Sequence, residues 1–262
     1  MIVCKFGGTS VASAEQIKKV FNIVKSNPER KVVAVSAPGK RSSEDIKVTD
    51  LLIDLAEAAL IGGDVDAKID AVVKRYEDIT IGLGLDHTMS EVIAADLRER
   101  VAGDKSNKEL FIDSLKASGE DNNAKLIATY FNAAGIPARY VSPKEGLVVN
   151  DLPERTYALP EAYDNLSILK DTEEVVIFPG FFGYTKDGIL RTFDRGGSDI
   201  TGSILASAVG ADLYENFTDV DCVFSANPKV INNPAEIKEI TYREMRELSY
   251  AGFAVFHDEA LM

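Results

Sequence analysis

Ile2, Val3 and Cys4 open the chain as a short apolar run, and KVVAV at 31 to 35 supplies a second. Between them, apolar positions recur at helical spacing from about 13 to 26, and Asn27 and Pro28 break that pattern. Strand, helix and strand in this order predict a βαβ unit, and therefore parallel strands covered by helices. From about Thr49 to Ala133 the spacing is almost wholly helical: Leu51, Leu52, Leu55 and Ala59 mark one apolar face, and Ile69, Val72, Val73 and Tyr76 another. Gly62-Gly63 and Gly82 to Gly84 divide this stretch. ARYV at 138 to 141 reads as a strand, and prolines at 143, 153 and 160 mark a looser connection. VVIFPGFFG at 175 to 183 predicts one long buried strand, and Lys186-Asp187-Gly188 turns the chain into a hairpin. An Ala- and Ser-rich helix runs on to Val209, DLYENF at 212 to 217 predicts another strand, and a helix is expected at about 241 to 251. The chain reaches Met262 inside a helical pattern that begins near Asp258, so a cut end is expected.

Composition narrows the class. Hydrophobic residues are 45% and charged residues 27% of 262, ordinary values for a folded α/β protein with a substantial core. No apolar run approaches the ~20 residues of a membrane helix, and the N-terminus lacks a signal-peptide layout, which predicts a cytoplasmic protein. A net charge of −13 opposes nonspecific binding to nucleic acid or to an anionic membrane. Two cysteines, Cys4 and Cys222, read as small core residues, and two histidines, His87 and His257, do not support a histidine metal centre or a Ser/His/Asp hydrolase.

Candidate chemistry concentrates at two glycine pairs. After the first strand come Lys5, Phe6, Gly7, Gly8, Thr9 and Ser10: a cation, two residues that let backbone approach an anion, two hydroxyls, and a helix whose free N–H groups point the same way. The usual phosphate loop places its lysine after the glycines, so that motif does not apply, and by itself this stretch reads equally as a tight turn. Arg195, Gly196, Gly197, Ser198 and Asp199 repeat the arrangement beside an arginine, which suits bidentate capture of a carboxylate. The bland alternative is a turn capped by Ser198 or Asp199. Two anion sites suggest a phosphate donor and an acid acceptor.

KFGGTS, VSAPG at 35 to 39, SGE at 118 to 120, GFFG at 180 to 183, RGGSD at 195 to 199 and TDVD at 218 to 221 occur in the order seen in aspartokinases. From residue 2 to residue 261 the chain resembles their catalytic region, within the amino acid kinase superfamily. The resemblance implies a three-layer α/β/α sandwich with a mainly parallel sheet in two lobes, about 1 to 150 binding aspartate and about 170 to 262 binding ATP. It implies Mg²⁺-dependent transfer of the ATP γ-phosphoryl group to the side chain of L-aspartate, the entry step to lysine, threonine and methionine synthesis. Lys5 would span the transferring phosphoryl oxygens, and Gly7, Gly8, Thr9 and Ser10 would line the phosphate end. Arg195 and Glu120 would meet the α-carboxylate and α-ammonium of aspartate. Ser36, Thr49 and Ser198 would line its pocket, and Phe181 or Phe182 could border it. Asp199 would organise Lys5 or support the ammonium. Thr218, Asp219, Phe224 and Lys229 would lie on the nucleotide side, with no protein ligands named for the metal.

Some of these residues have plainer readings. Alone, Glu120 reads as a first-turn carboxylate favoured by a helix dipole, and Thr49 as an N-cap before Leu51 and Leu52. The sequence also departs from the family pattern: Lys229 replaces an arginine, Phe224 a tyrosine, and Ala254 an ATP-side lysine. A kinase of glutamate or acetylglutamate, or a nonenzymatic amino acid or nucleotide sensor, is the alternative. Aspartokinases usually carry paired ACT regulatory domains after this region, through which the full-length protein is expected to form a homo-oligomer.

Overall fold

A computed structural model of the chain describes residues 1–152, 155–194, 196–218, 222–226 and 230–250. The elements follow the order β1 (Ile2–Phe6), α1 (Ala14–Lys25), β2 (Arg30–Val35), α2 (Val48–Ile61), α3 (Val65–Gly82), α4 (Thr88–Val101), α5 (Lys108–Ala133), β3 (Ala138–Tyr140) and α6 (Pro160–Leu166). After these come β4 (Val175–Pro179), β5 (Phe182–Tyr184), β6 (Leu190–Thr192), α7 (Gly197–Ala208), β7 (Leu213–Phe217), β8 (Val223–Phe224), β9 (Glu236–Ile237) and α8 (Tyr242–Tyr250).

Five strands form one sheet in the order β3-β4-β2-β1-β7, and each neighbouring pair is parallel. Alternation along the strands separates two cores. Ile2, Cys4, Phe6, Val33, Val35 and Ile177 face α1 to α5, while Val3, Val32, Ala34, Val176 and Phe178 face α6 and α7. The sheet is thus covered on both sides, as parallel sheets require, and the three-layer α/β/α architecture predicted from sequence is observed. Strands from both halves of the chain share it.

The order β4-β2-β1-β7 positions the candidate site, because β1 and β2 lie at the centre and both end at the same edge in glycine-containing loops. Open parallel sheets bind ligands beyond the carboxyl ends of such strands. Phe6 stacks on Phe217 with ring centroids 4.6 Å apart, which fixes the ends of β1 and β7 together.

One local expectation is corrected. The segment 175 to 183 is not one strand: β4 stops at Pro179, and Phe181 takes a left-handed φ of 79°, so the chain turns before β5 pairs antiparallel with β6. Gly180 still donates its N–H to the Val35 carbonyl at 2.9 Å, and only glycine fits there, because an added Cβ would lie 2.6 Å from the Ser198 hydroxyl. The first helix, expected at about 13 to 26, runs Ala14–Lys25, with Ser13 capping it by accepting from the Gln16 amide and a 3₁₀ turn at Gly8–Val11 joining it to the glycine pair. Of the cysteines, Cys4 is buried and Cys222 only half-buried.

Candidate active site at the carboxyl ends of the central strands

Lys5 lies in β1 with Ala34 of β2 on one side and Asn216 of β7 on the other. On a strand of alternating faces, Lys5 falls on the α7 side between apolar Cys4 and Phe6, which face the opposite core. Its side chain is only 9% exposed, a state an ammonium tolerates when it is paired. The partner is Asp199, whose Oδ1 is 2.7 Å from Lys5 Nζ.

The loop after β1 packs backbone to backbone against the loop after β2. Gly39 donates its N–H to the Gly8 carbonyl at 2.8 Å, and Ser36 donates to the Phe6 carbonyl. A Cβ on Gly39 would sit 2.6 Å from the Gly8 carbonyl carbon, so only glycine permits this approach. Within the phosphate-loop candidate the amides divide. Gly7 N–H donates to the Phe217 carbonyl and Ser10 N–H to the Gly7 carbonyl, whereas among the described residues the amides of Gly8 and Thr9 carry no hydrogen bond.

α7 begins at Gly197, after Gly196 in the left-handed region with φ 70°. Ser198 and Asp199 do not cap it. Ser36 Oγ donates to Ser198 Oγ at 2.9 Å, which joins the end of β2 to α7, and Asp199 turns toward Lys5. Asn216 Nδ2 donates to the same Asp199 Oδ1 at 3.0 Å.

From the opposite layer comes Glu120. It lies in the interior of α5, not in a first turn, and is nearly inaccessible. Gly119 allows α5 to come this close, because a Cβ there would press on Ala37 and Leu52. The Ala37 amide donates to the Glu120 carboxyl, while Glu120 Oε2 is buried with no hydrogen-bond partner among the described residues. Burial raises the carboxyl to about 8, with the Ala37 amide and the Lys116 ammonium pulling in the other direction. A buried carboxyl with an unused oxygen is primed to receive a cationic donor. One turn further along α5, Asn123 Nδ2 donates to the Ser36 carbonyl at 2.6 Å.

The structure therefore gathers Lys5, Gly7, Gly8, Ser36, Glu120, Ser198 and Asp199 at one edge of the sheet through a connected set of contacts. Thr49 is half-buried at the second position of α2; the N-cap is Lys47, and Val48 donates to the Pro38 carbonyl beside Ser36. Thr9 is exposed and Ser10 half-buried on the 3₁₀ turn. Phe182 is a core residue, whereas Phe181 is half-buried and crowds Gly197, with Lys116 Nζ 5.6 Å from its ring centroid. Thr218 follows β7 at the surface, and Phe224 belongs to the separate β8–β9 ribbon. Arg195, Asp219, Lys229 and Ala254 lie outside the described residues. Sequence reasoning missed Asn123 and Asn216. Asn123 follows Glu120 at helical spacing on the same face, and that was a usable signal; Asn216 depends on strand register and left none.

No three His, Cys, Asp or Glu side chains among the described residues converge as a metal cage. Among them, too, no helix is long and apolar enough to cross a membrane.

Comparison with known proteins agrees with this geometry. The model of the amino acid kinase family matches residues 1–262. The chain is similar to Aspartokinase 3 of Bacillus subtilis (strain 168), at 58% identity over 263 residues, covering 100% of this chain and 58% of that protein. It also resembles a chloroplastic bifunctional aspartokinase/homoserine dehydrogenase 1 of Zea mays, at 31% identity over 99% of this chain and 29% of the relative. Among solved structures, aspartate kinase from Clostridium acetobutylicum superposes with a TM-score of 0.83 at 33% identity, covering 100% of this chain and 57% of that one. E. coli aspartokinase III in complex with aspartate and ADP also gives 0.83, at 26% identity, with 100% and 59% covered. The chain thus spans 58% of the Bacillus subtilis protein, 57% and 59% of the two solved chains, and 29% of the Zea mays protein.

Proposed function

We infer the activity of this chain from one premise: it belongs to the amino acid kinase family. The function its geometry supports best is ATP-dependent phosphorylation of the side-chain carboxylate of L-aspartate, giving 4-phospho-L-aspartate and ADP. This is the first step toward lysine, threonine and methionine. The observation that carries the reading is the pairing of a cation and a buried acid at one sheet edge: Lys5 fixed by Asp199 on one layer, and Glu120, whose Oε2 has no hydrogen-bond partner among the described residues, on the other.

The reaction needs little covalent help from the protein. A free aspartate carboxylate, with a reference value of ~3.9, is already ionised near neutrality and needs no general base to become a nucleophile. Its oxygen attacks the γ-phosphorus, the bond to the β-phosphate oxygen breaks, and the electron pair leaves with ADP. What remains is alignment and neutralisation of phosphoryl charge, which are the main terms in such transfers. Lys5 supplies the charge at the transferring oxygens, held by Asp199. The Gly8 and Thr9 amides, which have no other described partner, donate to phosphate oxygens, with the Ser10 hydroxyl beside them. Glu120 receives the α-ammonium, Arg195 pairs with the α-carboxylate, and Ser36, Thr49 and Ser198 line the pocket.

The nucleotide is assigned to Thr218, Asp219, Phe224 and Lys229 by resemblance, and the division into an aspartate-binding part at about 1 to 150 and an ATP-binding part at about 170 to 262 rests on the same ground. Mg²⁺ would be held mainly by phosphate oxygens of the nucleotide and by water, where it would neutralise phosphate charge. Assembly of the full-length protein through regulatory domains, and a cytoplasmic setting where aspartate and ATP are found, belong to the same reading.

A hydroxylamine-trapping assay for the acyl phosphate tests it. Aspartate with MgATP is expected to give hydroxamate while glutamate and acetylglutamate give none, and Lys5→Ala is expected to lower turnover by ~10³-fold or more with the fold retained by circular dichroism. Hydroxamate from glutamate in preference to aspartate, or undiminished turnover in the Lys5 variant, would reject the assignment.

A further inference from the structure

Lys5 and Asn216 are register partners on adjacent parallel strands, and both reach the same oxygen of Asp199, at 2.7 and 3.0 Å. Residues two apart on β7 face α7 together: the Tyr214 ring fits against Gly202, and Asn216 meets Asp199 one helical turn earlier. A Cβ on Gly202 would lie 2.3 Å from the Tyr214 hydroxyl oxygen, so the β7–α7 spacing is set tightly beside the Asn216 contact.

Two features separate the Asn216 contact from ordinary packing. Among the described residues, no side chain other than Lys5 and Asn216 donates to or pairs with the Asp199 carboxylate. A carboxylate held only by a flexible lysine can swing with it, whereas a second donor from a strand fixes its plane. The other end of the Asn216 amide is unfavourable for stability alone, because its Oδ1 is buried with no hydrogen-bond partner among the described residues. An apolar side chain would fill this place without that cost. What the amide supplies is its nitrogen, delivered to Asp199.

We propose that Asn216 is a positioning residue for phosphoryl transfer, locking the Asp199 carboxylate so that Lys5 is held on the line of the transferring group. This rests on the aspartate kinase reading above for the reaction, although the Asn216–Asp199–Lys5 linkage itself does not. The role is geometric: it acts on Lys5 through Asp199 and touches neither substrate.

Two variants and two readouts test it. Asn216→Leu keeps the branching at Cγ and removes the donor; kcat is expected to fall at least tenfold while KM for aspartate and for ATP stays within about threefold. Asn216→Asp keeps the shape and places a second carboxylate beside Asp199. Neighbouring carboxylates share a proton, and a protonated one can again donate, so its rate relative to the wild type is expected to rise as pH falls from 8 to 6. Independently of turnover, acylation of Lys5 by acetic anhydride, followed by peptide mass spectrometry, is expected to speed up several-fold in Asn216→Leu, because Lys5 must leave Asp199 to react. Kinetics within twofold of the wild type in both variants, or loss of kcat with wild-type Lys5 labelling, overturns the proposal. A wild-type protein without aspartate-dependent product would reject the kinase reading, while Lys5 labelling would still decide the role of Asn216.

Discussion

Glu120 shows how one residue can be costly for folding and useful for binding. Its carboxyl is pushed to about 8 by burial, so the unliganded protein holds it protonated at neutral pH. An arriving α-ammonium favours the carboxylate, and the proton must then leave. Aspartate binding at pH 7 is therefore expected to release close to one proton, seen as a dependence of calorimetric binding heat on buffer ionisation enthalpy, and aspartate affinity is expected to improve as pH rises toward 8. Glu120→Gln should abolish the proton release and weaken aspartate binding by ~10-fold or more, in line with loss of a charged hydrogen bond. Buffer-independent heats in the wild type would rule out this protonation state. From sequence, SGE marked Glu120 by resemblance, while Glu120 taken alone reads as a helix-start carboxylate; only packing of α5 against Ala37 and Leu52 makes it a buried acid.

At the level of elements, the site is the meeting of loops whose spacing is set by missing side chains. Gly8 and Gly39 touch through their backbones, and Arg75 from α3 holds the second loop by donating to the Gly39 and Ile46 carbonyls. Gly39→Ala places a carbon 2.6 Å from the Gly8 carbonyl carbon and forces the loops apart. The expected result is a loss of ~1–3 kcal/mol in urea unfolding, together with a lower kcat, because the Gly8 and Thr9 amides move from their positions. An alanine variant with native stability and turnover would show that the loops separate freely. The hydrophobic pattern located most elements, since strands and amphipathic helices bury faces of fixed period. It failed at 175 to 183, where the apolar run masked the strand-ending Pro179 and Gly180, and the chain turns at the left-handed Phe181.

For the whole molecule, ionisable groups of opposite behaviour shape stability against pH. Between about 4.5, the ordinary value for glutamate, and about 8, native Glu120 keeps a proton that the unfolded chain has released, so its contribution falls as pH rises through that window. Asp45, held far below the carboxylate range by hydrogen bonds from Arg41, and Glu215, lowered by Arg30, act the other way. Their stabilisation is present above ~4 and is lost as pH falls further. Thermal unfolding is expected to show a maximum near pH 5 to 6, with a fall toward pH 8 that flattens in Glu120→Gln; equal slopes in both proteins on the alkaline side would contradict the buried acid. The sequence by itself determined the α/β class, the parallel βαβ start, the two glycine pairs and the resemblance carrying Lys5, Glu120, Ser198 and Asp199, because periodicity and motif order are properties of the chain read in line. Tertiary structure alone decided which partners meet. Strand order brought Asn216 beside Lys5, and helix packing buried Glu120. Such contacts join residues far apart along the chain, and no local pattern encodes the register or the desolvation that gives them their chemistry.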